Sequence, residues 1–404
     1  MAEKPFLHPK DLRGLAKLVT QATEGVTDVV ESMHRTIARS PLLPAETGQK
    51  RTTGIAGLVY QSIRGVNAIV GEGLERMLQS IEPMVPPSAS TTQREIIVSV
   101  LNGVLGDHLE ASGNPLAIDM RLRVQGEALD FPLTEAQRAR FEPSSRILIG
   151  VHGLCMNDLQ WQRKSHNHLQ ALAEATGYTP LTLHYNSGRH ISVNGESFSM
   201  LLDRLVANWP APVDSIVIVG HSMGGLVTRS ALDHAAGAGM KWLDSADKVI
   251  MLGSPHQGAL LEKAGNILER VLDISRYSSP LVALGQIRSA GITDLRHGSV
   301  SEQDWASAHP FERVTPHCQI VPIPEGVSAY VVAGVHGKES GLHEHIVGDG
   351  LVPISSALGH SEDPRYRLNI PSSRQAVFYD THHMALLDRP DVTEQMRRWM
   401  MDEC

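Results

Sequence analysis

The chain has 404 residues, of which 42% are hydrophobic, 20% charged and 4% aromatic, and its net charge at pH 7 is −8. This length is sufficient for a sizeable buried core, and it predicts one large domain with an appendage, or two domains. The negative charge argues against a protein that binds nucleic acid through bulk positive charge.

Signals for membrane insertion, secretion and cross-linking are weak in this sequence. None of its apolar stretches approaches the roughly 18 residues that span a bilayer, and the start of the chain lacks the apolar core of a secretory signal peptide. Three cysteines, Cys155, Cys318 and Cys404, are too few for a disulfide framework and lack the spacing of metal ligands. We therefore expect a soluble protein of the cytoplasm.

The N-terminal part of the chain predicts a helical hairpin. Apolar residues recur with helical spacing from Leu12 to Ile37 and again from Ile55 to Ile81. The two segments align at an offset of forty residues, with eight identities in the seventeen positions that begin at Gly14. Such a repeat predicts one duplicated amphipathic helix folded back on its copy. We assign residues 1–90 to this hairpin and a following linker, and residues 91–404 to a second domain.

The apolar stripe of this hairpin has two interpretations. It packs on the remainder of the protein or on a second subunit, or it contacts lipid or a hydrophobic granule as a peripheral membrane protein does. The polar faces carry charges of both signs rather than mainly Lys and Arg, which favours the packing interpretation.

The remaining chain alternates between strand-like and helical patterns. Apolar, β-rich runs predict strands over Met120–Val124, Ile147–Val151, Leu181–Tyr185, Ile216–Val219, Val249–Leu252, Tyr330–Ala333 and Ala376–Tyr379. Helical patterns occupy Glu95–Glu110, Phe198–Val206, Gly225–Ala236 and Val392–Met400. This alternation predicts an α/β fold with a doubly wound, mostly parallel sheet. Residues 260–324 interrupt the alternation and form an insertion that is either a lid or a structural excursion.

The strongest local signal is a serine between a strand and a helix. An apolar strand leads directly into Gly220 to Gly224, whose G-H-S-M-G sequence, with His221 at its second position, fits the G-x-S-x-G pattern of a nucleophile elbow. Ser222 lies on the sharp turn, so Gly220 and Gly224 must be small for the backbone to approach itself. The turn also places the N–H of Met223 at the start of the helix, where it can face an oxyanion.

A serine hydroxyl attacks only when a base removes its proton, so a histidine and an orienting acid are required. In this type of fold both follow the serine, the acid first and the histidine second. Asp349 is the best-placed acid, because it lies in a glycine-flanked loop after a predicted strand. His382 and His383 follow the last predicted strand. The apolar residues after His383 favour it as the base, and His382 is the alternative.

A second backbone donor is expected in the loop after the Ile147–Val151 strand. There His152 and Gly153 precede Leu154, whose N–H would complete an oxyanion hole with that of Met223. The neighbouring Cys155 is expected to be a buried small residue rather than a nucleophile.

A metal site is a weaker interpretation of the histidines near Asp349. His336, His343 and His345 lie close together in the sequence, with Glu344 nearby, but their spacing fits no strong zinc pattern. The chain also lacks a Walker-type phosphate loop, and the elbow has a serine where a dinucleotide fingerprint needs a glycine. We therefore predict no metal and no cofactor.

Five motifs together resemble the α/β-hydrolase superfamily, and within it the lipase-like branch that includes GPI inositol-deacylase (PGAP1-like) esterases and bacterial triacylglycerol lipases. They are V-H-G-L at 151–154, G-H-S-M-G-G at 220–225, G-S-P-H-Q-G at 253–258, G-D-G-L-V-P at 348–353 and H-M-A-L-L at 383–387. The resemblance covers about residues 120–400. In the third motif Ser254 replaces the threonine that lipases usually have, which is a mild departure.

This resemblance implies a lipase or esterase with a Ser-His-Asp triad. In that family the elbow serine, here Ser222, is acylated by an ester carbonyl, with Asp349 as the acid, His383 as the base, and the N–H groups of Leu154 and Met223 around the oxyanion. Water then releases the acyl group, and the substrate is a small-molecule acyl ester or lipid. Two alternatives stay open: a thioesterase, amidase or acyltransferase with the same triad, and a lipid- or granule-associated binding protein.

Overall fold

The computed structural model describes residues 9–38, 54–81, 91–141, 143–259, 289–306, 321–337 and 348–403. Two large parts of the predicted insertion, 260–288 and 307–320, lie outside the described residues, as do His343, Glu344 and His345 of the metal interpretation. In the ranges that are described, no group of three or more His, Cys, Asp or Glu side chains is arranged to hold a metal ion.

The chain divides into two compact units. The first comprises Met1–Arg94 with Leu109–Ala117, and the second comprises Glu95–His108 with Ile118–Cys404. The predicted boundary after residue 90 stays a prediction.

The first unit contains the two long helices that the repeat predicts. They are α1 (Pro9–Ala38) and α2 (Gly54–Ile81), and they pack against each other. The side-chain amide of Asn67 donates a hydrogen bond to the carbonyl oxygen of Thr20 at 2.9 Å. Arg64, one turn earlier in α2, binds Asp28, which lies two turns later in α1. A later residue of α1 therefore contacts an earlier residue of α2, which shows that the two helices are antiparallel.

Apolar side chains on the outside of this hairpin are unusually exposed. Val19, Leu58, Val66, Ile69 and Val70 are between 61% and 74% exposed. None of the described helices is both long and apolar enough to cross a membrane.

The second unit is built on an eight-stranded sheet. Its strands are β1 (Arg121–Val124), β2 (Glu127–Ala128), β3 (Arg146–Val151), β4 (Thr179–His184), β5 (Ser215–His221), β6 (Ala246–Leu252), β7 (Ser328–Gly334) and β8 (Gln375–Phe378). They lie in the order β2-β1-β4-β3-β5-β6-β7-β8. β1 pairs antiparallel with β2 and β4, and every other neighbouring pair is parallel. The prediction of a doubly wound, mostly parallel sheet is confirmed.

Helices alternate with these strands along the chain. The longer ones are α3 (Thr92–Ala111), α5 (His168–Thr176), α6 (Ile191–Asn208), α7 (Met223–Ala238), α8 (Ala290–His297) and α11 (Pro390–Met400). The shorter ones are α4 (Glu135–Arg140), α9 (Gln303–Ala306) and α10 (Ile354–Ala357). Short 3₁₀ turns, among them His383–Leu387, complete the connections.

Both faces of the sheet are covered by helices. Successive side chains of a strand point to opposite faces, so each face has its own packing partners. On one face Leu148, Val217 and Ile250 belong to a buried cluster with side chains of α5 and α11. On the other face α7 approaches so closely that a Cβ on Gly225 would lie 3.1 Å from Cγ of Met251. The central strands are therefore buried on both sides.

The parallel strands all end at the same edge of the sheet, which is where ligands bind in folds of this type. Four segments with predicted site residues begin at this edge. His152 follows β3, Ser222 follows β5, and the loops that contain Asp349 and His383 follow β7 and β8.

Candidate active site

Ser222 occupies the turn between β5 and α7. Its backbone has φ 55° and ψ −121°, a conformation that side-chain-bearing residues rarely adopt. A Cβ on Gly220 would lie 2.6 Å from the backbone nitrogen of Gly225, and one on Gly224 would overlap the carbonyl oxygen of Val151. The turn therefore requires glycine at both positions, as the elbow pattern predicts.

A buried carboxylate–imidazole pair lies at the same edge of the sheet. Nδ1 of His383 lies 2.7 Å from Oδ2 of Asp349, and both residues are at most 5% exposed. The other carboxylate oxygen, Oδ1, accepts hydrogen bonds from the N–H groups of Leu351 at 3.0 Å and Val352 at 2.9 Å. These two donors fix the carboxylate, so that Oδ2 faces the imidazole.

The neighbouring His382 has a different environment. Its side chain is exposed, and its Nδ1 accepts a hydrogen bond from the N–H of Ala385 at 3.2 Å, which caps the short 3₁₀ turn. Of the two adjacent histidines, His383 is therefore the one whose imidazole contacts the buried acid.

Ser222 and His383 line one pocket. The same pocket contains Gly153, Leu154 and His221, and the rest of its lining is apolar, consisting of Met156, Pro255, Ala259, Leu295, Leu351, Val352 and Met384. The structure thus brings the predicted nucleophile and base to a common cavity, with the acid directly behind the base.

Met223 and Leu154, the residues of the two predicted oxyanion donors, lie near Ser222. Met223 is the first residue of α7, so its N–H has no acceptor within the helix. Leu154 lines the pocket, and a Cβ on Gly153 would lie only 3.1 Å from Cβ of Ser222. Cys155 is buried as expected, and burial raises the pKa of its thiol to about 12, which keeps it in the weakly reactive thiol form.

A serine elbow between a parallel strand and a helix, followed along the chain by an acid and then a histidine, is the arrangement of α/β-hydrolases. Residues 193–325, which include the elbow, match the family model of the PGAP1-like alpha/beta domain. The chain has an α/β-hydrolase fold. A comparison with curated proteins found no match.

Solved structures with similarity to this chain include lipases and esterases. The mature lipase BlEst2 of Bacillus licheniformis is 17% identical, with a TM-score of 0.42 over 70% of this chain and 98% of that one. A lipase-esterase related protein from Clostridium acetobutylicum is 13% identical, with a TM-score of 0.36 over 65% of this chain and 95% of that one. A putative aryl esterase from Burkholderia cenocepacia is 13% identical, with a TM-score of 0.37 over 65% of this chain and 92% of that one.

Contacts that hold the predicted oxyanion loop (residues 152–155) were not found by sequence analysis. The hydroxyl of Tyr185 donates to the carbonyl oxygen of His152 at 2.8 Å, and the two rings stack with centroids 4.3 Å apart. The hydroxyl oxygen of Ser187 accepts a hydrogen bond from the N–H of Cys155 at 3.0 Å. Tyr185 and Ser187 follow the end of β4, at the same edge of the sheet as Ser222. This position in the sequence was the signal that could have identified them.

A second missed contact supports the histidine loop. The imidazole of His168, in α5, lies with Nε2 2.8 Å from the carbonyl oxygen of Leu386 and with Nδ1 2.7 Å from the hydroxyl of Thr393. Since a carbonyl only accepts, Nε2 carries the hydrogen. His168 is fully buried and neutral in this arrangement.

We expect the protein to lose stability on acidification, in part through His168. Burial lowers the pKa of this imidazole from its ordinary value of 6.5 to about 4. Between these values the unfolded chain binds a proton that the folded chain does not, so the contribution is complete above pH 6.5 and is lost as the pH falls through 4. At about 1.4 kcal/mol per pKa unit, the loss amounts to about 3 kcal/mol.

Urea unfolding from about pH 7.5 to about pH 4.5 measures this effect. The control is His168→Gln, which removes the titrating group, so its free energy of unfolding should fall less steeply with acidification than that of the wild type. Equal slopes for the two proteins would show that His168 does not contribute.

Gly253, the first residue after β6, is expected to be required for activity. It has φ 58°, and a Cβ there would lie 3.1 Å from Oδ2 of Asp349 and 3.2 Å from Cε1 of His383. Gly253→Ala should therefore displace the imidazole and lower kcat about 10- to 100-fold, in addition to a backbone cost of about 1 kcal/mol. Gly239→Ala is the matched control, because Gly239 has φ 63° and no atom of the described residues lies within 4 Å of the added Cβ.

Thermal unfolding and steady-state kinetics distinguish the two variants. Both should be destabilised by a similar backbone term, but only Gly253→Ala should lose activity. A fully active Gly253→Ala protein would mean that activity does not depend on the space beside Asp349 and His383.

Proposed function

We propose that this protein is a serine hydrolase that cleaves carboxylic esters of acyl or lipid substrates through an acyl-enzyme on Ser222. One observation supports the proposal most strongly: the 2.7 Å contact between Asp349 and His383, which places the imidazole in the wall of the pocket that Ser222 also lines. The order of these residues along the chain and the glycine-dependent elbow support the same assignment.

In the proposed reaction, Nε2 of His383 removes the proton from Ser222 as the serine oxygen attacks the ester carbonyl. Asp349 holds the hydrogen on Nδ1 of His383 and stabilises the imidazolium that forms. The N–H groups of Leu154 and Met223 donate to the oxyanion. The imidazolium then protonates the leaving alcohol, and water activated by the same histidine releases the acid.

The lining of the pocket supports an apolar acyl group. Apart from His221 and His383, the lining side chains within the described ranges carry no titratable group, and most are aliphatic or thioether. An apolar acyl chain can bury its surface against them without leaving a polar group unpaired.

Hydrolysis of p-nitrophenyl esters from acetate to palmitate, combined with labelling by a fluorophosphonate, tests the proposal. We expect a pre-steady-state burst of p-nitrophenol, since an acyl-enzyme forms before water releases it, and a single labelled peptide that contains Ser222. If the folded protein is not labelled and hydrolyses no ester, the proposal is wrong.

The same experiment separates the alternative enzymes. A protein that is labelled at Ser222 but is inactive on every oxygen ester would instead be assayed with acyl thioesters and anilides. Activity confined to one of these substrates would identify a thioesterase or an amidase, and transfer to an added alcohol would identify an acyltransferase. All of them use the same triad chemistry with a different leaving group or acceptor.

We further propose that the helical hairpin binds an apolar partner, either a lipid or granule surface or a second copy of the chain. The observation in favour is the exposed apolar side of α1 and α2, where Val19, Ile69 and others are more than 60% exposed. Between Gly54 and Gly71 the single charged residue is Arg64, and it is ion-paired with α1. An exposed face of this kind marks an interaction site more often than a solvated surface. The predicted cytoplasmic location stays a prediction.

Light scattering and co-sedimentation with neutral phospholipid vesicles distinguish these partners. The test variant combines Val66→Asn with Ile69→Asn, and the matched control combines Gln61→Asn with Ser62→Asn at exposed polar positions of the same helix. If neither dimerisation nor vesicle binding is seen for the wild type, the binding proposal for the hairpin is wrong.

A further inference from the structure

His221, the residue before the nucleophile, makes a direct contact with the base loop. It ends β5 and is 1% exposed. Its Nε2 lies 3.2 Å from the carbonyl oxygen of His383. Because a carbonyl oxygen only accepts, Nε2 of the His221 imidazole carries a hydrogen.

The backbone of His383 is therefore held at both of its polar groups. Its N–H donates to the carbonyl oxygen of Asp349 at 3.0 Å, and its carbonyl accepts from His221. The first contact joins the base to the acid, as the side-chain contact does. The second joins the base to the residue adjacent to Ser222, and so it connects the two groups between which the proton must move.

The opposite edge of the same imidazole meets the oxyanion loop. A Cβ on Gly153 would lie 3.3 Å from Nδ1 of His221 and 3.1 Å from Cβ of Ser222. Within the described part of the chain, Nδ1 of His221 is buried without a hydrogen-bond partner. A buried polar atom normally costs stability when it is unpaired, and here it belongs to a ring that contacts base, nucleophile and oxyanion loop together.

The environment keeps this ring neutral during turnover. Burial lowers the pKa of His221 well below its ordinary value, and the adjacent His383, with ring centroids 4.7 Å apart, acts in the same direction, as do Arg163 and His168. When His383 becomes an imidazolium in the proposed reaction, the repulsion of a second positive charge at this distance increases. The hydrogen on Nε2 is therefore present throughout the cycle.

We propose that His221 is a positioning residue that sets the distance between the Ser222 hydroxyl and Nε2 of His383 through its hydrogen bond to the His383 carbonyl. This inference rests on the function proposed above. It assigns to the second position of the elbow a role that the G-x-S-x-G pattern leaves open, since the pattern accepts any residue there.

Two substitutions separate the hydrogen bond from the mere presence of a side chain. In His221→Gln the amide nitrogen is as many bonds from Cβ as Nε2 of histidine, so it can donate to the His383 carbonyl. In His221→Asn the amide is one bond shorter and cannot reach. We expect His221→Asn to lower kcat about 100-fold, the scale of a misplacement of about 1 Å, while KM changes less than about twofold because the acyl pocket is unaltered.

His221→Gln should recover kcat to within about tenfold of the wild type, because it restores the donor. His234→Asn is the matched control, since it makes the same exchange on α7 at a residue outside the pocket lining. Equal kcat values for the Asn and Gln variants, with equal thermal unfolding temperatures, would overturn the inference. So would a loss that appears in KM alone.

Ser222→Ala, measured in parallel, separates this inference from the proposed function. If Ser222→Ala retains activity, the serine mechanism is wrong and the His221 results do not bear on it. If Ser222→Ala is inactive and His221→Asn is as active as the wild type, the mechanism stands and only the positioning role is wrong.

Discussion

Replacing Ser222 with alanine is expected to lower kcat for ester hydrolysis about 10⁶-fold, the loss seen when a triad hydrolase has no nucleophile. The oxyanion donors and the acyl pocket would remain, so substrate should still bind and KM should change little. Alanine keeps the Cβ that makes φ 55° costly for serine, so we expect the variant to unfold at nearly the wild-type temperature. This rate loss corresponds to about 8 kcal/mol of transition-state stabilisation.

Folded protein whose concentration is determined by absorbance and a soluble short-chain p-nitrophenyl ester allow the measurement. Ser197→Ala is a suitable control, because Ser197 lies on α6 and is not among the residues that line the pocket. Its hydroxyl donates a hydrogen bond to the carbonyl oxygen of Val193 and accepts one from Arg189. A kcat for Ser222→Ala within tenfold of the control would exclude Ser222 as the nucleophile.

The second large effect concerns the acid. Asp349→Asn should lower kcat about 10⁴-fold, because it fixes the wrong tautomer of the histidine. The N–H groups of Leu351 and Val352 both donate to Oδ1, so an asparagine would direct its oxygen to them and its NH₂ group to His383. Nδ1 would then have to accept, the hydrogen would move to Nε2, and the imidazole could no longer take the proton of Ser222.

Kinetics of Asp349→Asn beside Asp294→Asn test this argument. Asp294 is also a buried aspartate with a histidine partner, since its carboxylate lies 3.0 Å from Nδ1 of His190, but it does not line the pocket. We expect Asp294→Asn to keep kcat within about tenfold of the wild type. Similar losses in the two variants would mean that the effect comes from a buried aspartate in general rather than from the tautomer.

Much of the sheet could be predicted from local pattern. All seven predicted strands are present. The central parallel strands β3, β5, β6 and β7 were the easiest to predict, because buried parallel strands are apolar along most of their length. Their ends are less predictable. β5 continues through Gly220 and His221, neither of which favours strands, because both pair with Met251 and Leu252 of β6. β2 has only two residues, too few for a periodic pattern.

The candidate site residues could be proposed from the sequence for a different reason. An elbow requires small residues at two fixed positions around Ser222, and the fold orders acid and histidine along the chain. The assignment of roles to Ser222, Asp349 and His383 stays a prediction until the variants are measured.

The supporting contacts could not have been predicted in the same way. Tyr185 and His152 are separated by 33 residues, and His168 and Leu386 by 218. Nothing in the local sequence distinguishes these side chains from other core residues, because their roles depend on which loops the sheet order brings together. The histidine at the second position of the elbow was visible in the sequence, but its partner was a backbone carbonyl, which has no residue type to recognise.

The backbone of Ser222 has a consequence for engineering. A side chain at φ 55° and ψ −121° costs about 1 to 3 kcal/mol that a glycine would not. A library screened for heat resistance alone would therefore be enriched in Ser222→Gly, which relieves this cost and removes the proposed nucleophile. Variants of this protein should therefore be selected for stability and for catalytic activity at the same time, because the backbone of Ser222 lowers the stability while its side chain is proposed to supply the activity.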